Sequence, residues 1–337
     1  MLDTYNSTML FEAKKAKHKP HIILQIFIFI LVFLIANIAT GLAFGIPMGI
    51  ALLKDLDLNS LNSEAIYSDV RNLLNNLPGW VGAVSLFSTV ITTLFAILYC
   101  RHIEQRSFAS MGLKKKGMLK NYGLGYLIGI AMISATVGLS VMFGGAIFTG
   151  FNLGTSTVYI LLFFLGYLVQ GMSEEVLVRG YFMVSCANKV HVAAAVIISS
   201  AVFASLHLLN PGITVIAFIN LMLFGIFAAV YILRTDDLWG ACAIHASWNF
   251  FQGNVFGISV SGSSVGESVY GTAFLKGRDL ISGGSFGIEG GICTTLVMTV
   301  GILLVLYLPQ KEKRVLPQDA NEVINKENTE IPLYIEK

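Results

Sequence analysis

Two adjacent glutamates and an arginine occupy a stretch of the chain that is otherwise apolar. Residues 173–181 read Ser-Glu-Glu-Val-Leu-Val-Arg-Gly-Tyr, and Glu174 and Glu175 are the only acids between Gln105 and Thr235. A charged side chain costs about 2.5–3.5 kcal/mol at the centre of a bilayer on insertion scales. The three charges therefore indicate ion pairing and a polar cavity in which a carboxylate could activate water.

The spacing of these residues separates the two glutamates. Glu175 and Arg179 are four residues apart with the acid first, which is the favourable order for an ion pair on a helix. Glu174 lies about 100° further around the helix. We therefore predict that Glu175 and Arg179 neutralise each other and that Glu174 faces a cavity as a general base. The alternative is a purely structural triad that holds helices together.

Two further polar patterns occur downstream, Phe203-x-x-x-His207 and His245-x-x-x-Asn249. The members of each pair are four residues apart, so each pair lies on one helix face. His207 could orient a water molecule and share its proton. His245 and Asn249 could donate hydrogen bonds to a developing oxyanion, which is often the largest single contribution to catalysis. A single membrane histidine commonly serves packing alone, but this combination favours a catalytic site.

The same residues leave one alternative open, a zinc site. Glu174, His207 and His245 could ligate zinc and keep one position open for water. The three residues are scattered, however, and the chain has no His-Glu-x-x-His motif. We therefore expect chemistry without a metal or other cofactor, with zinc as the alternative.

The composition places these residues in a membrane protein. Of the 337 residues 55% are hydrophobic and 12% are charged, and the mean hydropathy is +0.72, whereas soluble domains carry about 25% charged residues. The net charge of +2 is too small to indicate nucleic-acid binding. The four cysteines form no CxxC pair and are expected to be buried apolar thiols: Cys100, Cys186, Cys242 and Cys293.

Apolar runs long enough to span a bilayer, at about 20 residues each, predict an all-α fold. We expect a polytopic membrane helix bundle of about eight transmembrane helices over residues 22–308, with the catalytic site inside the bundle. The first segment is too long for a cleaved signal peptide, and Gly125-x-x-x-Gly129 predicts close helix packing. The predicted segments are 22–52, 80–100, 121–148, 157–184, 191–208, 213–233, 240–257 and 288–308.

Basic residues predict the orientation of the bundle. They concentrate in 1–21 and 101–120, which we place in the cytoplasm, whereas the more acidic loop 53–79 lies outside. Eight crossings then return the polar tail 309–337 to the cytoplasm, so both termini are predicted to be cytoplasmic in a multi-pass protein of the cell membrane. Residues 258–287 are rich in Gly and Ser and fall outside, as either a floppy connection or a mobile cover over a site.

This topology leaves the depth of the polar residues unexplained. Glu174 and His245 fall toward the cytoplasmic half of the bundle, whereas His207 falls near the outer end of its segment. A tilted helix, a broken helix or a misplaced segment boundary would each bring them together.

The ordered set of three motifs resembles the type II CAAX prenyl endopeptidase and bacteriocin-processing family (CPBP, also called Abi), a family of glutamic intramembrane proteases. The resemblance covers about residues 80–257, and each of the three motifs is complete. Residues 106–113, with Met-Gly-Leu at 111–113, are also similar to the approach to the family's catalytic core.

The resemblance implies a role for each motif residue. Water is activated by Glu174 and His207, and the oxyanion is held by His245 and Asn249. The supporting residues are Glu175, Arg179 and Phe203.

The implied function is that of an intramembrane endopeptidase. Its partners would be a membrane-embedded or membrane-anchored protein or peptide substrate and the lipid bilayer, with no nucleic acid. The alternative is a non-proteolytic membrane scaffold or a bacteriocin self-immunity protein with the same fold. A proton-coupled transporter is a third possibility, which the lack of repeats and of Pro-broken helix pairs disfavours. The oligomeric state, the substrate and its prenylation stay open.

Overall fold

The computed structural model describes residues 7–54 and 78–307, and most of these residues are helical. The predicted tail 309–337 and most of the loop 53–79 lie outside the described residues. The helices in chain order are α1 (Thr8–Lys14), α2 (Ile22–Leu53), α3 (Gly79–Ile103), α4 (Met118–Met142), α5 (Thr157–Ala187), α6 (Val192–Ser205), α7 (Val215–Thr235), α8 (Trp239–Phe250), α9 (Asp279–Ser282) and α10 (Ile292–Tyr307).

The prediction of an all-α polytopic bundle is confirmed. Within the described residues, five helices are long and apolar enough to cross a membrane, namely α2, α3, α4, α5 and α7. Helices α6 and α10 are apolar but shorter, and α8 continues into a π-helical turn at Phe251–Val255. Each of the eight predicted segments thus contains a helix, whereas the count of eight crossings stays a prediction.

Helix α8 lies at the centre of the bundle, packed against α4 and α5. Every residue from Gly240 to Phe250 is buried. The predicted close packing at Gly125 and Gly129 of α4 is confirmed, because a Cβ atom there would collide with Gly240 O and with Ser247 Oγ of α8. The helix that carries His245 and Asn249 is therefore held rigidly on both sides.

Helix α5 departs from α-helical geometry directly after the glutamate pair. Its stretch Val176–Met183 is π-helical, and all eight of its residues are buried. The sequence argument assumed regular α-helical turns here. π-Helical turns are rare and frequently occur at functional sites, and this one lies next to Glu174 and Glu175.

The predicted segment 121–148 was wrong at its end. Helix α4 stops at Met142, and Gly144 follows with a φ of +68°, a left-handed conformation that commonly ends helices. The chain then forms strand β1 (Ala146–Phe151), which pairs antiparallel with strand β2 (Tyr270–Phe274) in the register Ala146↔Phe274. A two-stranded sheet therefore joins the end of α4 to the predicted extracytoplasmic segment.

The predicted extracytoplasmic segment 258–287 is folded onto the bundle. It contains β2, α9 and the 3₁₀ turn Gly284–Phe286, and a second 3₁₀ turn, Ile288–Gly290, connects it to α10. Asn220 of α7 fixes this connection, since its Nδ2 donates to Glu289 O at 2.7 Å and to Gly291 O at 2.9 Å. These contacts disagree with the interpretation of residues 258–287 as a floppy connection.

The N-terminal helix α1 belongs to the predicted basic tail and packs against the bundle through Met9, Leu10 and Ala13. Its first turn is held by Asp236, which follows α7. Asp236 accepts from Ser7 Oγ at 2.9 Å and from Met9 N at 3.0 Å, and it forms an ion pair with Lys114. Three cytoplasmic segments in the predicted topology therefore meet at one carboxylate.

Candidate active site

A cavity of about 210 Å³ lies inside the bundle. Its lining includes the four predicted catalytic residues, Glu174, His207, His245 and Asn249. They come from two helices, α5 and α8, and from one turn, since α6 ends at Ser205 and His207 lies just beyond it. The predicted segment 191–208 thus extends past the end of its helix, and the turn beyond that helix places His207 in the same cavity as Glu174 and His245.

Glu175 is the most enclosed of the site carboxylates and links two side chains. Its Oε1 accepts from Arg179 Nη1 at 3.0 Å, which confirms the predicted ion pair. The same oxygen lies 2.9 Å from His245 Nδ1. Because a carboxylate only accepts hydrogen bonds, this ring nitrogen is the donor. Glu175 therefore neutralises Arg179 and also fixes the orientation of the His245 ring.

Glu174 points into the cavity, as the helix-face argument predicted. Its Oε1 accepts from Gln170 Nε2 at 2.5 Å, and its Oε2 lies 3.6 Å from His245 Nε2. Within the described parts of the chain, Oε2 has no hydrogen-bond donor. One oxygen is thus held in place while the other is available for chemistry.

Gln170 is a site residue that the sequence analysis missed. Its Oε1 accepts from Asn249 Nδ2 at 3.0 Å, so Gln170 joins the predicted base Glu174 to a predicted oxyanion donor. The available signal was its spacing, since it precedes Glu174 by four residues on an apolar helix. A polar side chain at that spacing shares the helix face of the carboxylate.

Phe203 supports the site with its ring and its backbone. Its carbonyl oxygen lies 2.9 Å from His207 Nδ1, which leaves Nε2 of that ring for other partners. The guanidinium of Arg179 lies 4.4 Å from the centre of the Phe203 ring, a cation–π distance. Phe224, a second residue missed from the sequence, packs edge-on against the His245 ring at 4.9 Å. Aromatic faces therefore hold both histidine rings and the arginine.

The opposite wall of the cavity is polar and was also missed. It includes Asn210, Asn220, Ser261, Ser263 and Glu289. Glu289 is the only acid between Asp279 and Glu312 and lies at the start of the predicted membrane segment 288–308. Its side-chain partners are distant in sequence, so spacing could not reveal its place in the cavity.

The placement of possible ligand side chains bears on whether the site could bind a metal ion. Among the residues that the structure describes, no group of three His, Cys, Asp or Glu side chains is placed to hold a metal ion. The four cysteines are buried and free, as predicted.

Comparison with known proteins gives one match. Residues 155–251 match the family model described as Type II CAAX prenyl endopeptidase Rce1-like. Residues 155–251 are therefore similar to the Rce1-like family and are called the Rce1-like domain. No curated protein and no solved structure gives a significant match to the chain.

The Rce1-like domain contains all three motifs and the complete helices α5, α6, α7 and α8. Helices α3 and α4, which the resemblance included, lie before the matched span. Ser261 and Glu289 lie after it, so part of the cavity lining comes from outside the Rce1-like domain.

Proposed function

We propose that this protein is a metal-independent glutamic endopeptidase that hydrolyses a peptide bond of a membrane-embedded or membrane-anchored protein or peptide. The Rce1-like domain supports a protease in general. The observation that carries the finer proposal is the convergence of Glu174, His207, His245 and Asn249 on one cavity.

Glu174 acts as the general base in this proposal. Its Oε2 takes a proton from water while the water oxygen attacks the scissile carbonyl carbon, which gives a tetrahedral oxyanion. The same proton then passes to the leaving amine as the C–N bond breaks, so Glu174 ends as a carboxylate. Gln170 supports this role because it holds only Oε1.

His245 and Asn249 hold the oxyanion. His245 Nδ1 already donates to Glu175, so Nε2 can donate only when the ring carries both protons. The charge balance of the site favours that state, because two carboxylates, Glu174 and Glu175, then face two cations, Arg179 and the imidazolium. Asn249 gives one N–H to Gln170 and keeps the other for the oxyanion.

His207 assists the water from the other side of the cavity. The Phe203 carbonyl holds Nδ1 of the ring at 2.9 Å. Because a carbonyl oxygen accepts, Nδ1 carries the proton and Nε2 can accept from water. The attacking water would thus lie between Glu174 and His207.

A substitution of the base tests this proposal. Glu174→Gln keeps the shape of the side chain and removes the charge that takes the proton. In a strain that lacks the protein, new protein N-termini in the membrane fraction should form with the wild-type chain and be absent with Glu174→Gln at equal expression. Equal sets of N-termini from both chains would contradict the proposal and favour a non-proteolytic scaffold.

A further inference from the structure

His207 lies on a turn, and the neighbouring helix alone does not fix its position. Helix α6 ends at Ser205, and residues 206–212 form consecutive turns. Asn210 bonds both to His207 within this turn and to the folded extracytoplasmic segment. Its backbone N–H donates to His207 O at 3.0 Å, and its Nδ2 donates to Ser261 O at 2.9 Å.

Ser261 in turn depends on Glu289. The Ser261 N–H donates to Glu289 Oε2 at 2.6 Å, and its Oγ lies 3.1 Å from Glu289 Oε1. Ser261 has a φ of +46°, a left-handed conformation that few residues other than glycine adopt. The two hydrogen bonds from Ser261 to the Glu289 carboxylate stabilise this conformation. They thereby fix the position of the Ser261 carbonyl, which accepts from Asn210.

Glu289 is itself anchored from two sides. Gln252, which follows α8, donates through Nε2 to Glu289 Oε2 at 3.0 Å and accepts through Oε1 from Trp248 Nε1 at 2.8 Å. Asn220 of α7 holds the Glu289 backbone carbonyl at 2.7 Å. The carboxylate is thus fixed relative to the helix that carries His245.

Glu289 also shares the cavity with His207. Both side chains line it, and they are close enough to interact electrostatically. Only 8% of Glu289 is exposed. A buried carboxylate with three donors beside the site has a defined geometry, since each donor restricts its rotation.

We propose that Glu289 is a positioning residue for His207, acting through Ser261 and Asn210. This inference rests on the proposed peptide hydrolysis, in which His207 assists the water. It assigns a catalytic purpose to the segment that follows the Rce1-like domain, because that segment places a histidine which the domain supplies.

The test compares Glu289→Gln with the wild-type chain reconstituted in liposomes. A glutamine amide places an N–H₂ group against donors that need an acceptor, so the connection to Ser261 should loosen. We expect kcat to fall by up to about 10²-fold, the loss that a misplacement of about 1 Å can cause, with KM little changed. Amide hydrogen exchange in residues 206–212 should rise, and exchange around Glu174 should stay as in the wild type.

Glu267→Gln is the matched control, because Glu267 lies in the same segment and contacts the Ser156 N–H at 3.2 Å instead. It should leave kcat and the exchange of 206–212 unchanged.

The outcomes separate this inference from the proposed function. If the wild-type chain cleaves no substrate, the proposed function fails, while hydrogen exchange still decides whether Glu289 fixes the turn. Unchanged exchange in 206–212 with Glu289→Gln would overturn the inference. If Glu289→Gln does not fold, Asn210→Ala takes its place, since it removes only the contact with Ser261. Normal kcat and normal exchange in Asn210→Ala would then overturn it.

Discussion

Neighbouring glutamates have different environments in this protein, and the difference supports their proposed roles. The Glu175 side chain is fully buried and its Oε1 contacts both Arg179 and His245. The Glu174 side chain is 29% exposed and lines the cavity. Oε2 of each carboxylate has no donor among the described residues, so the two side chains differ in their access to the cavity and in the neighbours that they orient.

Removal of Glu175 should affect stability before chemistry. Glu175→Ala leaves the Arg179 charge buried and unpaired, which typically costs about 3–5 kcal/mol, and it also releases the His245 ring. We expect a lower melting temperature together with lower activity. Glu175→Gln retains a hydrogen-bond acceptor, so its melting temperature should lie between those of the wild type and Glu175→Ala. A fully stable but inactive Glu175→Ala would mean that Glu175 is the base and that the two roles are reversed.

Asn249 should matter for turnover more than for substrate affinity. Loss of one oxyanion donor lowers turnover by about 10²–10³-fold in other enzymes, so Asn249→Ala should lower kcat to that extent with little change in substrate binding. Asn249→Asp should be similarly poor because a carboxylate repels an oxyanion.

The control for this prediction is Asn152→Ala, which removes an exposed amide that contacts Ser268. It should leave kcat unchanged. Thermal melting and kcat are measured on the same detergent-solubilised samples. Early melting of Asn249→Ala with normal turnover per folded molecule would show that Asn249 only joins two helices.

At the scale of elements, the regular features were predictable and the irregular ones were not. Apolar runs in the sequence correctly predicted a helix in each of the eight segments. The spacing of four residues predicted the contact between Glu175 and Arg179. The first three residues of strand β1 were included in the predicted segment 121–148, because a short apolar run fits either a strand or a helix. The π-helical part of α5 and the turn that carries His207 depend on tertiary packing. Glu289 was missed because its contacts join residues far apart in sequence.

Close packing of α4 on α8 should be sensitive to one methyl group. Gly129→Ala places a Cβ against Ser247 Oγ of α8, and such overpacking typically costs about 1–3 kcal/mol. We expect a lower melting temperature and a displaced His245, with reduced activity. Gly138→Ala, on the same helix with open space around it, is the control and should melt as the wild type. Equal melting temperatures for both variants would contradict the packing role of Gly129.

At the scale of the whole molecule, regions on both sides of the Rce1-like domain in the sequence contact it. Helix α1 and the predicted cytoplasmic loops meet at Asp236, α4 packs on α8, and the segment after α8 contributes to the cavity lining. The domain contains the proposed reacting groups, while the rest of the chain packs around them.

The contact of α1 should depend on pH. Burial alone would raise the pKa of Asp236, but the Lys114 ammonium and the donors from Met9 and Ser7 outweigh it and hold the pKa below its ordinary value of 3.8. A carboxyl with a lowered pKa stabilises the fold at pH values above its ordinary one. This stabilisation is lost as the pH falls from about 3.8 through the lowered pKa.

Hydrogen exchange of residues 7–14, corrected for the intrinsic rate, measures this effect. Protection should be constant near neutral pH and fall below pH 3.8, whereas Asp236→Asn should lack it at every pH. Asp237→Asn, at the adjacent position, is the control and should keep the wild-type profile. Full protection of α1 in Asp236→Asn at neutral pH would show that the Asp236 carboxylate does not hold α1 in place.

Metal removal tests the whole catalytic scheme. Because Glu174 is proposed to activate water directly, activity should survive treatment with a strong chelator. Elemental analysis of the purified protein before and after treatment accompanies the assay. Stoichiometric zinc, with activity lost on its removal and restored by its return, would falsify the metal-independent mechanism.

The pairing of β1 with β2 has a consequence for biosynthesis. The two strands are separated by more than a hundred residues, and the catalytic motifs lie between them along the chain. During translation the motifs enter the membrane before β2 and Glu289 leave the ribosome. A nascent chain therefore holds every reacting group while one cavity wall is still missing. The protein should acquire activity only when the last membrane helix is being inserted, which would protect the insertion machinery from an unfinished protease.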